Sequence, residues 1–451
     1  MHRFTQLWKS LRSTFWFLPT LMVAAGVALA VVLVDTEPAV SSQWLAQWPR
    51  LFGATPEGAR QLLATIAGSM MTVIGVTFSM TLVALALASS QYTSRILRNF
   101  MRSRVTQSTL GILAGIFAYC LIVLHTIRGG VGEAVFVPGL ALFFAFVLAL
   151  GGVGVLIYFI HHIASSIQAS SIIASVAEET IAAIERLFPA QLGHAPDDDI
   201  DQVPQSLEEM TWHPMPAKTY GYIQDVDNAA LLRLAQDKKT VVRMERGIGE
   251  FVVQDTALAS LALEDLPDQE TIAVLNASYI ISSYRTVDQD PAFGVRQIVD
   301  MALKALSPGV NDTSTAVMCV DYLTAILARL AARKFPALRR YDGDELRVIA
   351  KVPTFESLLS SAFDQIRRNA EGNVSVMSRM LGAFDAIGSQ TDSPRRRLAL
   401  REQMQRIGEL ADRTIDSAHD RAWLEAQLMR VRKALEAGPV VCAGEEKRIA
   451  P

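Results

Sequence analysis

The side chains best able to do chemistry are gathered in one stretch, Arg285-Thr286-Val287-Asp288-Gln289-Asp290-Pro291-Ala292-Phe293-Gly294, and in Ala305-Leu306-Ser307-Pro308-Gly309-Val310-Asn311-Asp312 after it. Asp288, Asp290, Asp300 and Asp312, with Asn311, offer the hard oxygen ligands that calcium or magnesium takes. The spacing is not that of an EF-hand loop, and each acid has another use. Asp290 is placed to cap a helix opening at Pro291, Asp312 to cap the next one, and Arg285 or Arg296 to pair with one of the acids. No metal and no cofactor is therefore expected. Nor is a catalytic residue assigned: the chain lacks a Walker loop, HExxH, G-x-S-x-G and any Cys/His constellation, so an enzyme is the least supported class. Cys120, Cys319 and Cys442 lie too far apart for a paired-cysteine framework, and the C-terminal part reads as reducing.

A second pattern is physical rather than reactive. Thr65, Gly68, Thr72, Gly75 and Ser79 recur at spacings of three and four, which puts only small or hydroxylated residues on one face of a helix. Such a face suits close helix packing, or lines a wet path. Arg95, Arg98 and Arg102 also share a helical face, where they can attract anions or anionic lipid head groups or serve as topological anchors.

The elements that carry these residues follow from charge. Runs without Asp, Glu, Lys or Arg cover 13–34, 61–94, 105–127 and 134–177, and each supplies the roughly 20 apolar residues that cross a bilayer. Up to Ala177 there are 10 Lys and Arg and 4 Asp and Glu, a surplus of +6; the remaining 32 and 41 give −9, and together the −3 of the whole chain. An acidic second part is not a nucleic-acid binder. Basic residues before the first run (Arg3, Lys9, Arg12) and between the second and third (Arg95, Arg98, Arg102, Arg104) mark the cytoplasmic side. An even number of crossings then leaves both termini cytoplasmic, in the inner membrane of a cell. A cleaved signal peptide is the weaker reading of the first run, which exceeds the usual 7 to 15 residue apolar core.

The expected fold is thus an α-helical integral membrane domain with four transmembrane helices, plus a mostly α cytoplasmic domain containing a small β-rich unit. The membrane domain covers 1–187, with spans at about 15–34, 62–88, 106–127 and 136–160, and its last helix runs on to Leu187 as a stalk because no proline interrupts it. A Pro- and acid-rich linker follows at 188–218, a small mixed α/β unit at 219–265, a helical domain at 266–436 and a flexible tail at 437–451. Strands are expected at 220–224, 240–244, 250–253 and 346–352. The two polar stretches cap the helices of a helical hairpin, the first before it and the second at its turn: Val295, Ile298, Val299, Ala302 and Leu306 share one buried face, and Ala316, Val320, Leu323, Leu327 and Leu330 the next.

These residues and the order of the spans resemble a group of bacterial predicted membrane proteins, domain-of-unknown-function family 2254. The resemblance covers nearly the whole chain and is most specific at Gln289-Asp290, Phe293-Gly294 and Ser307-Pro308-Gly309-Val310-Asn311-Asp312. Members usually carry Pro after the Asn-Asp pair, where Thr313 stands here. The resemblance implies fold and topology and no activity. The residues themselves suggest an oligomeric channel or passive transport protein for a possible small ion, in which the stalk and cytoplasmic domain form a vestibule or gate. The alternative is a membrane-anchored scaffold or sensor without transport. Membrane lipid and further copies of the chain are the expected partners.

Overall fold

The computed structural model describes residues 16–36, 55–91, 104–128, 136–166, 168–188, 210–335 and 337–437. It divides into two compact units, Met1–Ser171 and Ile172–Pro451. Arg95, Arg98 and Arg102 lie outside the described residues.

Among the described residues the first unit holds four helices: α1 (Phe17–Thr36), α2 (Pro56–Gln91), α3 (Arg104–Thr126) and α4 (Gly139–Ser166). Helix α2 starts where the chemistry dictates, with the Thr55 hydroxyl accepting from the Gly58 amide at 3.2 Å and Pro56 at the first helical position. Helix α3 packs against the other three. Its Leu113, Ile116, Tyr119 and Val123 interlock with Leu63, Ile66 and Met70 of α2 and Leu142 of α4, and the Tyr119 hydroxyl donates to the Ala141 carbonyl at 2.7 Å. Helices α1 and α3 touch backbone to backbone. A Cβ added to Gly26 would lie 2.5 Å from the Gly115 carbonyl oxygen, so only glycine permits this approach.

The single long helix expected from 139 to 187 is two helices. Helix α4 ends at Ser166 and α5 spans Ala169–Leu187. The break needs no proline: Ser165 donates its hydroxyl to the His161 carbonyl at 3.0 Å, the kind of side-chain competition that weakens a helix locally. From Ile172 onward α5 belongs to the second unit. There Arg333 donates to the Phe188 carbonyl at 3.2 Å, and Phe188 meets the Phe335 ring edge to face.

The second unit combines two small sheets with a helical layer. Its remaining elements are β1 (Trp212–Pro216), β2 (Gly221–Val226), α6 (Asn228–Asp237), β3 (Val242–Met244), β4 (Phe251–Val252), β5 (Ala257–Ala262), α7 (Gln269–Ala277), β6 (Tyr279–Ser282), α8 (Pro291–Ala305), α9 (Thr313–Ala331), β7 (Arg339–Asp342), β8 (Glu345–Ile349), α10 (Phe355–Asn369), α11 (Val374–Gly388), α12 (Pro394–Thr414) and α13 (Ala418–Ala437). One sheet has the order β1-β5-β3-β8-β7, the other β4-β2-β6. Among the described strands all pairings are antiparallel except β3 with β8, where Val242 faces Val348. Met215, Ile223, Val242, Leu258, Leu261 and Val348 form the sheet core.

Several of these strands depart from the expected pattern. Strand β1 falls in the stretch read as linker; its Pro214 and Pro216 are tolerated because β1 is an edge strand, whose missing amides have no neighbour to serve. The five-stranded sheet is not confined to 219–265, since β7 and β8 join it from 339–349. In the helical layer α9 packs against α8 and α11, and Phe363 of α10 meets Phe384 of α11 with ring centroids 5.0 Å apart.

Five described helices are long and apolar enough to cross a membrane: the four of the first unit and Thr313–Ala331, that is α9. Four were expected. The fifth qualifies at a mean hydropathy of 1.4, against 2.0 to 2.7 for the others.

Candidate functional site

The polar stretch before α8 folds into a buried ion pair. Asp290 is the N-cap of α8 and accepts from the Phe293 amide at 3.2 Å through Oδ1. Its Oδ2 takes both Nε and Nη2 of Arg285, at 2.8 and 2.7 Å. Asp290 is 4% exposed and Arg285 25%. Burial pushes the Asp290 carboxyl above the usual carboxylate range, opposed by the Arg285 guanidinium and the Phe293 and Ala292 amides. The guanidinium also lies over the Phe293 ring, 5.1 Å from its centroid, a desolvated cation–π arrangement.

Gly249 closes the pair from the sheet side. Its φ is +83°, and an added Cβ would run into Asp290 Oδ2 and stand 2.8 Å from Arg285 Nη2. Both the backbone conformation and the space exclude a side chain. Gly294 has the matching role on α8, where an added Cβ would collide with the Thr180 hydroxyl of α5. That contact gives the Phe293-Gly294 pair a physical reason: the ring covers the guanidinium, and the glycine admits α5.

The other acids go elsewhere. Asp300 pairs with Arg296 at 2.8 Å, one turn away on α8. Asp312 caps α9 by accepting from the Thr315 amide at 3.0 Å and its hydroxyl at 2.6 Å, bonds that hold its carboxyl below the usual range. Asn311, at φ +48°, makes the left-handed step between the two helices, a conformation asparagine tolerates better than most residues. Asp288 is exposed, 4.0 Å from Arg186, whose guanidinium also donates to the Asp288 carbonyl. Asp290 and Asp312 stand at opposite ends of α8, whose 15 residues separate them by roughly 22 Å at 1.5 Å per residue. Among the described residues no three His, Cys, Asp or Glu side chains converge in a metal-holding group. The motif is thus a structural junction with arginine at its exposed edge, rather than one ligand set.

In the first unit, Thr65, Gly68, Thr72, Gly75 and Ser79 are all exposed. The chain packs the opposite face of α2, through Leu63, Ile66, Ala67 and Met70. A Cβ on Gly68 or Gly75 would meet nothing within 4 Å. Thr65 and Thr72 donate their hydroxyls back to the Gln61 and Gly68 carbonyls, at 2.7 and 3.1 Å. The close glycine contact of this unit is instead Gly26 on Gly115, with Gly111 beside it. Gly111-Ile112-Leu113-Ala114-Gly115 is a small-xxx-small pattern that the sequence reading passed over.

Long apolar helices in one unit, beside a mixed sheet-and-helix second unit, are features of a membrane protein. Over residues 12–386 the chain matches the family model described as predicted membrane protein (DUF2254), and it belongs to that family. It is similar to uncharacterized proteins of Mycobacterium bovis and Mycobacterium tuberculosis, at 31% identity over 431 residues, covering 94% of this chain and 81% of each relative. No solved structure matches it.

Proposed function

We propose that the protein is an oligomeric channel or passive transport protein of the inner membrane, whose copies meet through the small, hydroxylated face of α2. The observation that carries this reading is the exposure of Thr65, Gly68, Thr72, Gly75 and Ser79 along one stripe while the same helix packs Leu63, Ile66, Ala67 and Met70 against its neighbours in the unit. Inside lipid, apolar contact alone gains little, and small residues decide which faces associate. The Thr65 and Thr72 hydroxyls donate to their own helix, so their oxygen lone pairs stay available to water or a small cation. The central parts of the spans carry no Asp, Glu, Lys or Arg, which favours a passive path over a proton-coupled one.

In this reading α1 to α4 cross the membrane and α9 does not. Helix α9 contains Asp321 and Arg329, and its apolar face, Cys319, Val320, Leu323, Ile326, Leu327 and Leu330, is fully buried in the second unit. Four crossings with the basic segments inside put both termini and the second unit in the cytoplasm. No catalytic role and no cofactor is part of the proposal.

Purified protein in liposomes tests it directly: ion flux that changes on Thr72→Leu supports the path, and a silent bilayer contradicts it. The second reading, a membrane-anchored scaffold or sensor, is favoured by the size of the second unit, Ile172–Pro451, with its own sheets and core.

A further inference from the structure

Helices α8 and α10 leave a cavity of about 350 Å³ between them, within the second unit. Its lining follows from helical spacing. Arg285 precedes α8, while Ala292 and Arg296 lie four apart on it; Ser360, Asp364 and Arg368 lie four apart on α10, with Ser361 and Gln365 beside them. Three arginines and two serines thus line one small space together with Asp364 and Gln365, in a part of the chain whose overall charge is negative.

Two of the arginines are held in place by acids that do not line the cavity. Arg285 is gripped by Asp290 through Nε and Nη2, and Arg296 by Asp300 through Nε at 2.8 Å. A guanidinium has five N–H donors in a fixed fork, so each keeps donors beyond those its acid occupies. Arg368 has no ion-pair partner among the described residues and is exposed. Asp364 is the one acid in the lining, and its charge is already engaged: Oδ1 accepts from Gln403 at 2.9 Å and Arg406 at 3.4 Å, with Arg367 at 3.9 Å. Arg368 and Arg406 lie close enough to act on Arg367: burial first, then these two charges, lower the pKa of the Arg367 guanidinium against the pull of Asp364.

We propose that this cavity binds a small phosphate-bearing anion, a phosphomonoester or pyrophosphate, with Arg285, Arg296 and Arg368 on its oxygens and the Ser360 and Ser361 hydroxyls as further donors. Planar arginine forks match phosphate oxygens two at a time, which a lone carboxylate ligand would use less fully. The volume lies at the small end of ligand pockets, which sets the size of the guest. The inference is independent of whether the spans conduct.

The test is calorimetric titration of the full-length protein in detergent with inorganic pyrophosphate at low ionic strength, and in parallel with a short-chain phosphatidic acid. Arg368→Ala touches no internal ion pair and leaves the fold intact. It should weaken pyrophosphate binding about 10- to 100-fold, the effect of one charge-assisted contact. Arg368→Lys should fall between it and the parent, and Arg379→Ala, outside the cavity, should change nothing. If phosphatidic acid alone binds, and Arg368→Ala abolishes it, the phosphate chemistry stands with a lipid head group as its source. Absence of binding by either probe, or affinity indifferent to Arg368→Ala, overturns the proposal.

Discussion

Replacing Gly249 by alanine loads the Arg285–Asp290 junction in two ways that can be separated. The first is backbone strain: a φ of +83° costs a residue with a side chain about 1 to 2 kcal/mol. The second is displacement of the ion pair, because the new Cβ occupies the space of Asp290 Oδ2 and Arg285 Nη2. Breaking a buried pair costs roughly 3 to 5 kcal/mol, but Arg285 is 25% exposed and can turn partly to solvent, so about half of that is expected. The total is about 3 kcal/mol. For a unit of this size that corresponds to a lowering of Tm by roughly 6 to 12 °C. Thermal unfolding of the full-length protein in detergent, followed by intrinsic fluorescence, gives the number. In an Asp290→Ala background the ion pair is already broken and the unpaired Arg285 can turn away from the new Cβ, so strain is what remains and Gly249→Ala should then cost about 1 to 2 kcal/mol. A shift below 2 °C for the single variant, or equal costs in both backgrounds, would refute the close approach of the turn to the ion pair.

Other outcomes follow from single contacts. Gly115→Leu should separate α1 from α3, since even a Cβ there would lie 3.0 Å from the Met22 carbonyl oxygen; the expected effect is a loss of stability of about 2 kcal/mol or more, read as a lower detergent-unfolding midpoint, while Gly75→Leu on the exposed face should leave the isolated chain's stability unchanged. Asp312→Ala should cost about 1 kcal/mol at pH 7 through loss of the α9 cap. Because Thr315 holds the Asp312 carboxyl below its ordinary 3.8, its contribution is complete above that pH and is lost as pH falls through the lower folded value. Acid unfolding of the Asp312→Asn variant should therefore show a shallower dependence below about pH 4 than the parent, and an identical acid limb would contradict the assignment.

Much of the helical architecture was written in the chain. Thr55-Pro56 announced α2, Asp290-Pro291 announced α8, and the apolar spacing from Ala316 to Leu330 announced α9, each because a cap or a periodic stripe is a local signal. The pairing of Arg285 or Arg296 with an acid was foreseen, and both pair. The sheets were less legible. Strands β3 and β4 are three and two residues long, β5 reads Ala257-Leu258-Ala259-Ser260-Leu261-Ala262, a helix-favouring composition, and β8 joins β3 from about a hundred residues away. Pairing at that distance is decided by tertiary context and leaves no periodicity to read. The interruption between α4 and α5 was hidden for a different reason: serines and a glutamine mark it, rather than proline or glycine. Arg368 was missed because its meaning lies in what faces it across the cavity from α8, although its four-residue spacing from Asp364 and Ser360 was visible.

The central proposal, that copies of the chain associate through the small face of α2, is tested most directly by cysteine cross-linking in native membranes. On a background with Cys120, Cys319 and Cys442 replaced by serine or alanine, Thr72→Cys and Ser79→Cys should each give disulfide-linked dimers on mild oxidation. Met70→Cys, whose position is buried against α3, should not. Monomers alone from Thr72→Cys and Ser79→Cys, with cross-links at Met70→Cys or none at all, would contradict the account.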